Sequence, residues 1–129
     1  MQSRALKSPQ PLRALWNLGT DPAATRLTME FMGLANHRKG LRAEIAYYAE
    51  RFRDEQRKAM TAALERYGVD ASGVPPIVWT VFATSVSRVM VMEQALGMSA
   101  GHAETLEFVE GYLRQLEGEA LPAAAITPV

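Results

Sequence analysis

Cysteine is absent from this 129-residue chain, which excludes a disulfide framework, a thiolate metal site, a redox dithiol and a cysteine nucleophile together. Histidine is scarce: His37 and His102 stand 65 residues apart, with no carboxylate at ligand spacing to either. An excess of one charge is also missing, since fourteen Lys plus Arg balance fourteen Asp plus Glu. Without a basic run the chain lacks the electrostatic footprint that a nucleic-acid backbone rewards. Glycines are scattered and form neither a GxxxxGK nor a GxGxxG phosphate cradle. Ser85 and Ser87 have no nearby histidine and no GxSxG context, which argues against a nucleophilic serine. The acids Glu104, Glu107 and Glu110 recur every three residues but lack the Glu-x-x-His companion of a carboxylate metal site, so they read as a solvated helix face. These absences make the chain a non-enzyme without a metal or cofactor.

Long apolar runs are missing as well. The most apolar stretch, Ile77 to Met92, is sixteen residues with only Arg88 charged, and Glu93 follows at once; a bilayer span needs about 20 residues. The first ten residues carry Arg4 and Lys7 but break at Ser8-Pro9-Gln10-Pro11 where a secretory leader needs an unbroken apolar core. A cytoplasmic protein with no membrane partner is the expectation. What is present is ordinary for one globular domain: 48% apolar and 22% charged residues, in a chain long enough to bury roughly two-thirds of its unfolded surface.

No window alternates β-branched with polar residues, whereas apolar spacing near 3.6 recurs throughout, so the fold class is all-α: an antiparallel bundle of about five helices. Pro11 opens a short helix through Leu12, Leu15, Trp16 and Leu18 that Gly19 ends. Thr20-Asp21-Pro22 supplies a cap and a proline for a second helix through Leu27, Phe31, Leu34 and Ala35. The polar stretch Asn36 to Gly40 marks a turn. The longest helix runs from about Leu41 to Tyr67 on a stripe of Leu41, Ile45, Tyr48, Phe52, Ala59, Ala63 and Tyr67, and Gly68 suits a left-handed C-cap. Gly68 to Pro76 is a loop. The fourth helix, about 76 to 96, is apolar on almost every side, so it must be covered all round. The fifth, about Ala103 to Leu116, carries Leu106, Val109, Leu113 and Leu116 on one stripe, with Phe108 and Tyr112 on a second beside it. Together they span roughly 160°, wider than one packing contact needs. Residues 1–10 are expected to be a flexible segment, 11–117 the domain, and 118–129 a disordered tail.

LRAEIAYYAERFRDEQRKAMTAALERYGVD, VPPIVWTVFATSVSRVMVMEQALG and GHAETLEFVEGYLRQL resemble the last three helices of the C-terminal domain of tetracycline-repressor (TetR) family transcription regulators. PLRALWNLGTDPAATRLTMEFMGLANH resembles the helices just before them. The likeness covers about residues 11 to 117 and rests on pattern, helix lengths and the ALG-turn-HAET junction. It implies a domain that binds a small effector in each subunit and forms a homodimer through its last two helices. Phe82, Val86, Val89, Phe108, Val109, Tyr112 and Leu116 would then form the interface. Trp16, Met29, Met32, Tyr48, Phe52, Trp79, Phe82 and Met90 are the candidates to line a pocket for an apolar effector, with Arg51 or Arg88 as polar anchor. A structural association module without a ligand is the alternative. TetR regulators begin with a three-helix DNA-binding module, and nothing before Leu12 is long enough to be one; contact with DNA is expected only through such a module. Residues 1–129 alone therefore show no sequence-specific footprint on a defined operator at about 150 mM salt, where weak phosphate contacts are screened.

Overall fold

The computed structural model describes residues 2–70 and 72–122. Six helices follow one another: α1 (Gln2–Leu6), α2 (Pro11–Gly19), α3 (Pro22–Ala35), α4 (Lys39–Arg66), α5 (Pro76–Ala95) and α6 (His102–Glu117). No strand occurs among the described residues, and the all-α class holds. The additional helix is α1, within the ten residues expected to be flexible. Burial organises that segment: Ala5, Ser8 and Gln10 are buried, Ser8 Oγ accepts from Gln10 N at 3.1 Å, and Arg66 Nη1 donates to the Ser8 carbonyl.

The helix ends follow local chemistry. Asp21 caps α3, its Oδ2 accepting from Ala24 N at 3.3 Å, and proline occupies the first turn of α2, α3 and α5. Gly68 ends α4 at φ +67°. Gly68 N donates to the Glu65 carbonyl and Val69 N to that of Leu64, the paired bonds of a Schellman stop, which needs a left-handed residue. Gly97 (φ +80°) closes α5 in the same way, with Met98 N donating to the Glu93 carbonyl.

The long helix α4 is the scaffold, packing against α5, α3, α1 and α2; α3 also packs on α5, and α2 on α5 and α6. The core lies at one end. Leu12 of α2, Ala63 and Leu64 of α4 and Leu113 of α6 form its buried centre, with Leu15, Trp16, Met60, Tyr67, Trp79 and Leu116 packed around it. Toward the α3–α4 turn the apolar stripe of α4 emerges into solvent: Tyr48 is 61% and Phe52 59% exposed. The sequence stripe is continuous, but Leu41 and Ile45 are only half-buried and Tyr48 and Phe52 are left exposed.

A polar clasp holds this core shut. The Glu117 carboxylate accepts from the backbone N–H of Leu12 at 2.8 Å and of Arg13 at 2.9 Å. It thereby caps the first turn of α2 from the far end of the chain and puts a negative charge at a helix N-terminus. The Tyr67 hydroxyl donates to the same carboxylate at 2.5 Å. Gln10 Nε2 donates to the carbonyls of Glu117 and Glu119, its Oε1 accepts from Leu121 N at 3.0 Å, and Arg13 Nη2 donates to the Gly118 carbonyl. Residues 118–121, expected to be part of a disordered tail, are held by these bonds; the remainder of that expectation, 123–129, lies outside the described residues. Glu117→Ala should lower the free energy of unfolding by roughly 2 kcal/mol, the loss of a cap and of hydrogen bonds to a charged acceptor. The check is the shift in urea midpoint. Glu119→Ala, whose carboxylate reaches only the exposed Arg114, should change the midpoint little.

Candidate ligand groove and association face

Helix α6 is pinned at its two ends. At its start, His102 Nε2 lies 2.9 Å from Glu93 Oε1 near the end of α5, a pairing that the sequence spacing did not reveal. At its other end the Glu117 clasp holds it, and five residues earlier the Trp79 ring of α5 stacks on Tyr112, with centroids 5.6 Å apart and planes 29° apart. Between these anchors α6 stands off from its neighbours, and two adjoining grooves open beneath it. The larger, about 360 Å³, is lined by Arg13, Trp16, Asn17, Leu106, Val109, Glu110, Leu113 and Ala120. The smaller, about 170 Å³, is lined by Trp16, Thr20, Pro22, Val86, Ser87, Met90, Val91, Gln94 and Leu106. Trp16 of α2 and Leu106 of α6 belong to both and form the waist between them.

The polar end of the larger groove is an ion pair. Arg13, 4% exposed, reaches Glu110 Oε2 through Nη1 at 2.5 Å. That bond raises the Arg13 guanidinium above its ordinary value and holds the Glu110 carboxyl below its own, each favouring the charged form of the other. Arg13 Nε is buried without a partner. Burial pushes the Tyr67 hydroxyl well above the usual phenol value, reinforced by the Glu117 carboxylate beside it, so it stays a donor.

Of the ten residues expected to meet in a pocket, Trp16 and Met90 line these grooves. The others are dispersed. Met29 is half-buried on α3, and Met32, Tyr48, Phe52 and Phe82 are exposed. Arg51 lies over the Tyr47 ring at 5.6 Å and donates to its hydroxyl on the surface of α4. Arg88 is half-buried, and its guanidinium is pushed below its ordinary value by burial and by the neighbouring Arg53. Trp79 lies between Tyr112 and Phe82. Between α3 and α5, Thr25 and Ser87 share a 2.6 Å hydrogen bond, both buried. Sequence reasoning missed Arg13, Asn17 and Glu110: the Arg13–Glu110 pair spans 97 residues, and no local pattern encodes it. Leu106, Val109 and Leu113 were visible as a stripe, though not as a groove wall.

The expected interface residues divide into two sets. Phe108 (78% exposed), Phe82 (59%), Val89 and Tyr112 face solvent. Val86 and Val109 turn into the grooves, and Leu116 packs on the core. Phe82, Trp79 and Tyr112 are continuous through their ring contacts, and Phe108 lies one turn before Tyr112, so one aromatic face crosses from α5 to α6. Gly111 lies beside it with open space around its α-carbon.

Among the described residues there is no cluster of three or more metal-ligating side chains, and no helix is long and apolar enough to cross a membrane. No protein-family model, curated protein or solved structure matches the chain.

The ion pair sets an acid limit on the groove. Because the folded Glu110 carboxyl is held below its ordinary value, the pair's contribution is present at neutral pH and lost as pH falls through that lowered value. Wild type should therefore lose its stability advantage over Glu110→Gln between about pH 5 and pH 3. Urea midpoints of the two proteins across that range are the measurement; a constant gap would place Glu110 outside the linkage.

Proposed function

We propose that this chain is a homodimerising helical domain that binds a small apolar effector, of the kind TetR regulators carry beyond their DNA-binding module, with DNA contacted only through such a module. The observation that carries the reading is surface that the chain cannot cover alone. It exposes 8700 Å², whereas a folded monomer of 14.2 kDa is expected to expose about 6,800 Å². Large apolar side chains on α3, α4, α5 and α6 are among the exposed residues. The face made by Phe82, Val89, Phe108 and Tyr112 presents four large side chains on two adjacent helices. Contiguous apolar area of this kind marks association surfaces. A two-fold pairing would bury it against itself, and Gly111 would let two copies of α6 approach closely.

The grooves beneath α6 support the effector part. The larger falls within the range of ligand sites, about 300 to 1,000 Å³, and combines an apolar lining with a few polar groups. Its wall, Leu106 and Val109, is on the helix whose other side carries Phe108. If the protein dimerises but binds no small molecule, the association-module alternative replaces this reading.

Phe108→Asp should break the dimer. A carboxylate without a partner in an apolar interface costs about 3 kcal/mol, roughly a 150-fold rise in Kd, read by light scattering at micromolar protein. Tyr48→Asp, at a comparably exposed aromatic on α4, should leave the mass unchanged. A monomeric wild type would overturn the proposal, and loss of the dimer in Tyr48→Asp alone would move the interface to α4.

A further inference from the structure

We propose that the α3–α4 hairpin docks this protein on an anionic phospholipid surface, with Leu27, Phe31 and Leu34 entering the interface and Arg38, Lys39 and Arg42 meeting the headgroups. The apolar part is a ridge along α3. Leu27, Phe31 and Leu34 are 55%, 50% and 54% exposed, and their spacing of four and three residues puts them within roughly 60° of one another around the helix. Thr25, which shares its hydrogen bond with Ser87 of α5, lies on the opposite side. The ridge therefore points away from α5 and is separate from the association face that α5 carries.

The cationic part follows directly in the chain. Arg38 is the N-cap of α4, and Lys39 and Arg42 stand in its first turns. All three are exposed, and no acid lies between Glu30 and Glu44. Among the described residues they form no ion pair; Arg42 Nη2 reaches only the Asn36 carbonyl, at 3.4 Å. A helix N-terminus already carries positive partial charge, so cations there oppose the helix dipole and strengthen the pull on an anion.

The combination selects the partner. Nucleic-acid phosphates would attract the cations but offer nothing to three exposed apolar side chains. A peptide helix is received by a groove, whereas Leu27, Phe31 and Leu34 stand on the crest of a helix. A lipid surface accepts a crest: apolar side chains enter the boundary between headgroups and acyl chains while neighbouring Lys and Arg stay at the headgroups. The expectation of no membrane partner rested on the lack of a spanning segment and of a leader, and docking of this kind uses neither.

The test is co-sedimentation of the full chain with vesicles of phosphatidylcholine alone and of an equal mixture with phosphatidylserine. The protein should bind the mixture and not the neutral vesicles. Arg38→Gln/Lys39→Gln/Arg42→Gln should weaken binding about a hundredfold, at about fivefold per cation. Phe31→Ser/Leu34→Ser should weaken it about thirtyfold through lost apolar burial. All five positions are exposed, so helical circular dichroism should be retained. Arg4→Gln/Lys7→Gln, which removes two exposed cations at α1, should leave binding nearly unchanged. In Phe31→Trp, lipids brominated on their acyl chains should quench the added emission, a depth readout that needs no loss of binding. Equal binding to both vesicles, no loss in Phe31→Ser/Leu34→Ser, or as large a loss in Arg4→Gln/Lys7→Gln would each overturn the proposal. So would failure to bind either vesicle; capture of an acidic amphipathic peptide through the same residues would then assign the hairpin to a protein partner instead.

Discussion

One carboxylate, that of Glu117, closes the chain on itself. It satisfies two backbone donors at the start of α2, takes the Tyr67 hydroxyl, and leaves its own carbonyl to Gln10. The first turn of any helix has donors without internal partners, and the last turn has unpaired acceptors. Here the two deficits are set against each other: the N–H groups of α2 and the carbonyls ending α6 find partners across the same cluster. The aligned dipoles, positive at the start of α2 and negative at the end of α6, favour the same arrangement. The buried apolar cluster lies next to that junction. Leu12, Leu64 and Leu113 meet there because the clasp brings their three helices together.

That placement makes the molecule lopsided. At the clasp, side chains interdigitate around Ala63, which has no exposed surface. Away from it, α4 and α5 carry the same kinds of apolar residue into solvent. Helix α5 shows why, since it has no polar face to turn outward and only α2, α3 and α4 to cover it extensively. Its Thr80 and Ser87 are buried while Phe82 and Val89 are exposed. Val91 is buried on the same side as Thr80 and Ser87, and Ser85 is exposed beside Phe82 and Val89, so each side of this helix mixes small hydroxyl and aliphatic residues.

Helix boundaries were legible in the sequence almost to the residue, because prolines at first turns and glycines at left-handed caps act locally. The stripe of α4 was legible too, but the sequence does not show that the stripe is fully buried only from Ala59 onward, which depends on where α2 and α6 end up. The order of residues 2–10 was invisible for the same reason. Ser8 and Gln10 read as loop formers, and their burial is fixed by partners near residues 66 and 117 to 121. Pocket residues were inferred from type, large and flexible or aromatic, and type alone does not separate a residue lining a gap from one left at the surface. Trp16 and Met90 were found because they lie on helices facing the gap; Tyr48 and Phe52 share the chemistry but not the position.

The clasp also bears on how the chain folds. Most contacts in a helical bundle join neighbours in sequence and form quickly, but these bonds join residues 104 to 107 apart. Bringing such distant segments together costs about 4 kcal/mol of loop-closure entropy, by the (3/2)RT ln n scaling, unless intervening helices have already drawn them close. The hairpins α3–α4 and α4–α5 supply that shortening, so α6 should dock late and be the first helix to leave on unfolding. Detachment of α6 as a unit, with α3, α4 and α5 still assembled, would give a partly open form before global unfolding. Amide exchange along α6 then reports the opening of the clasp rather than the melting of the bundle.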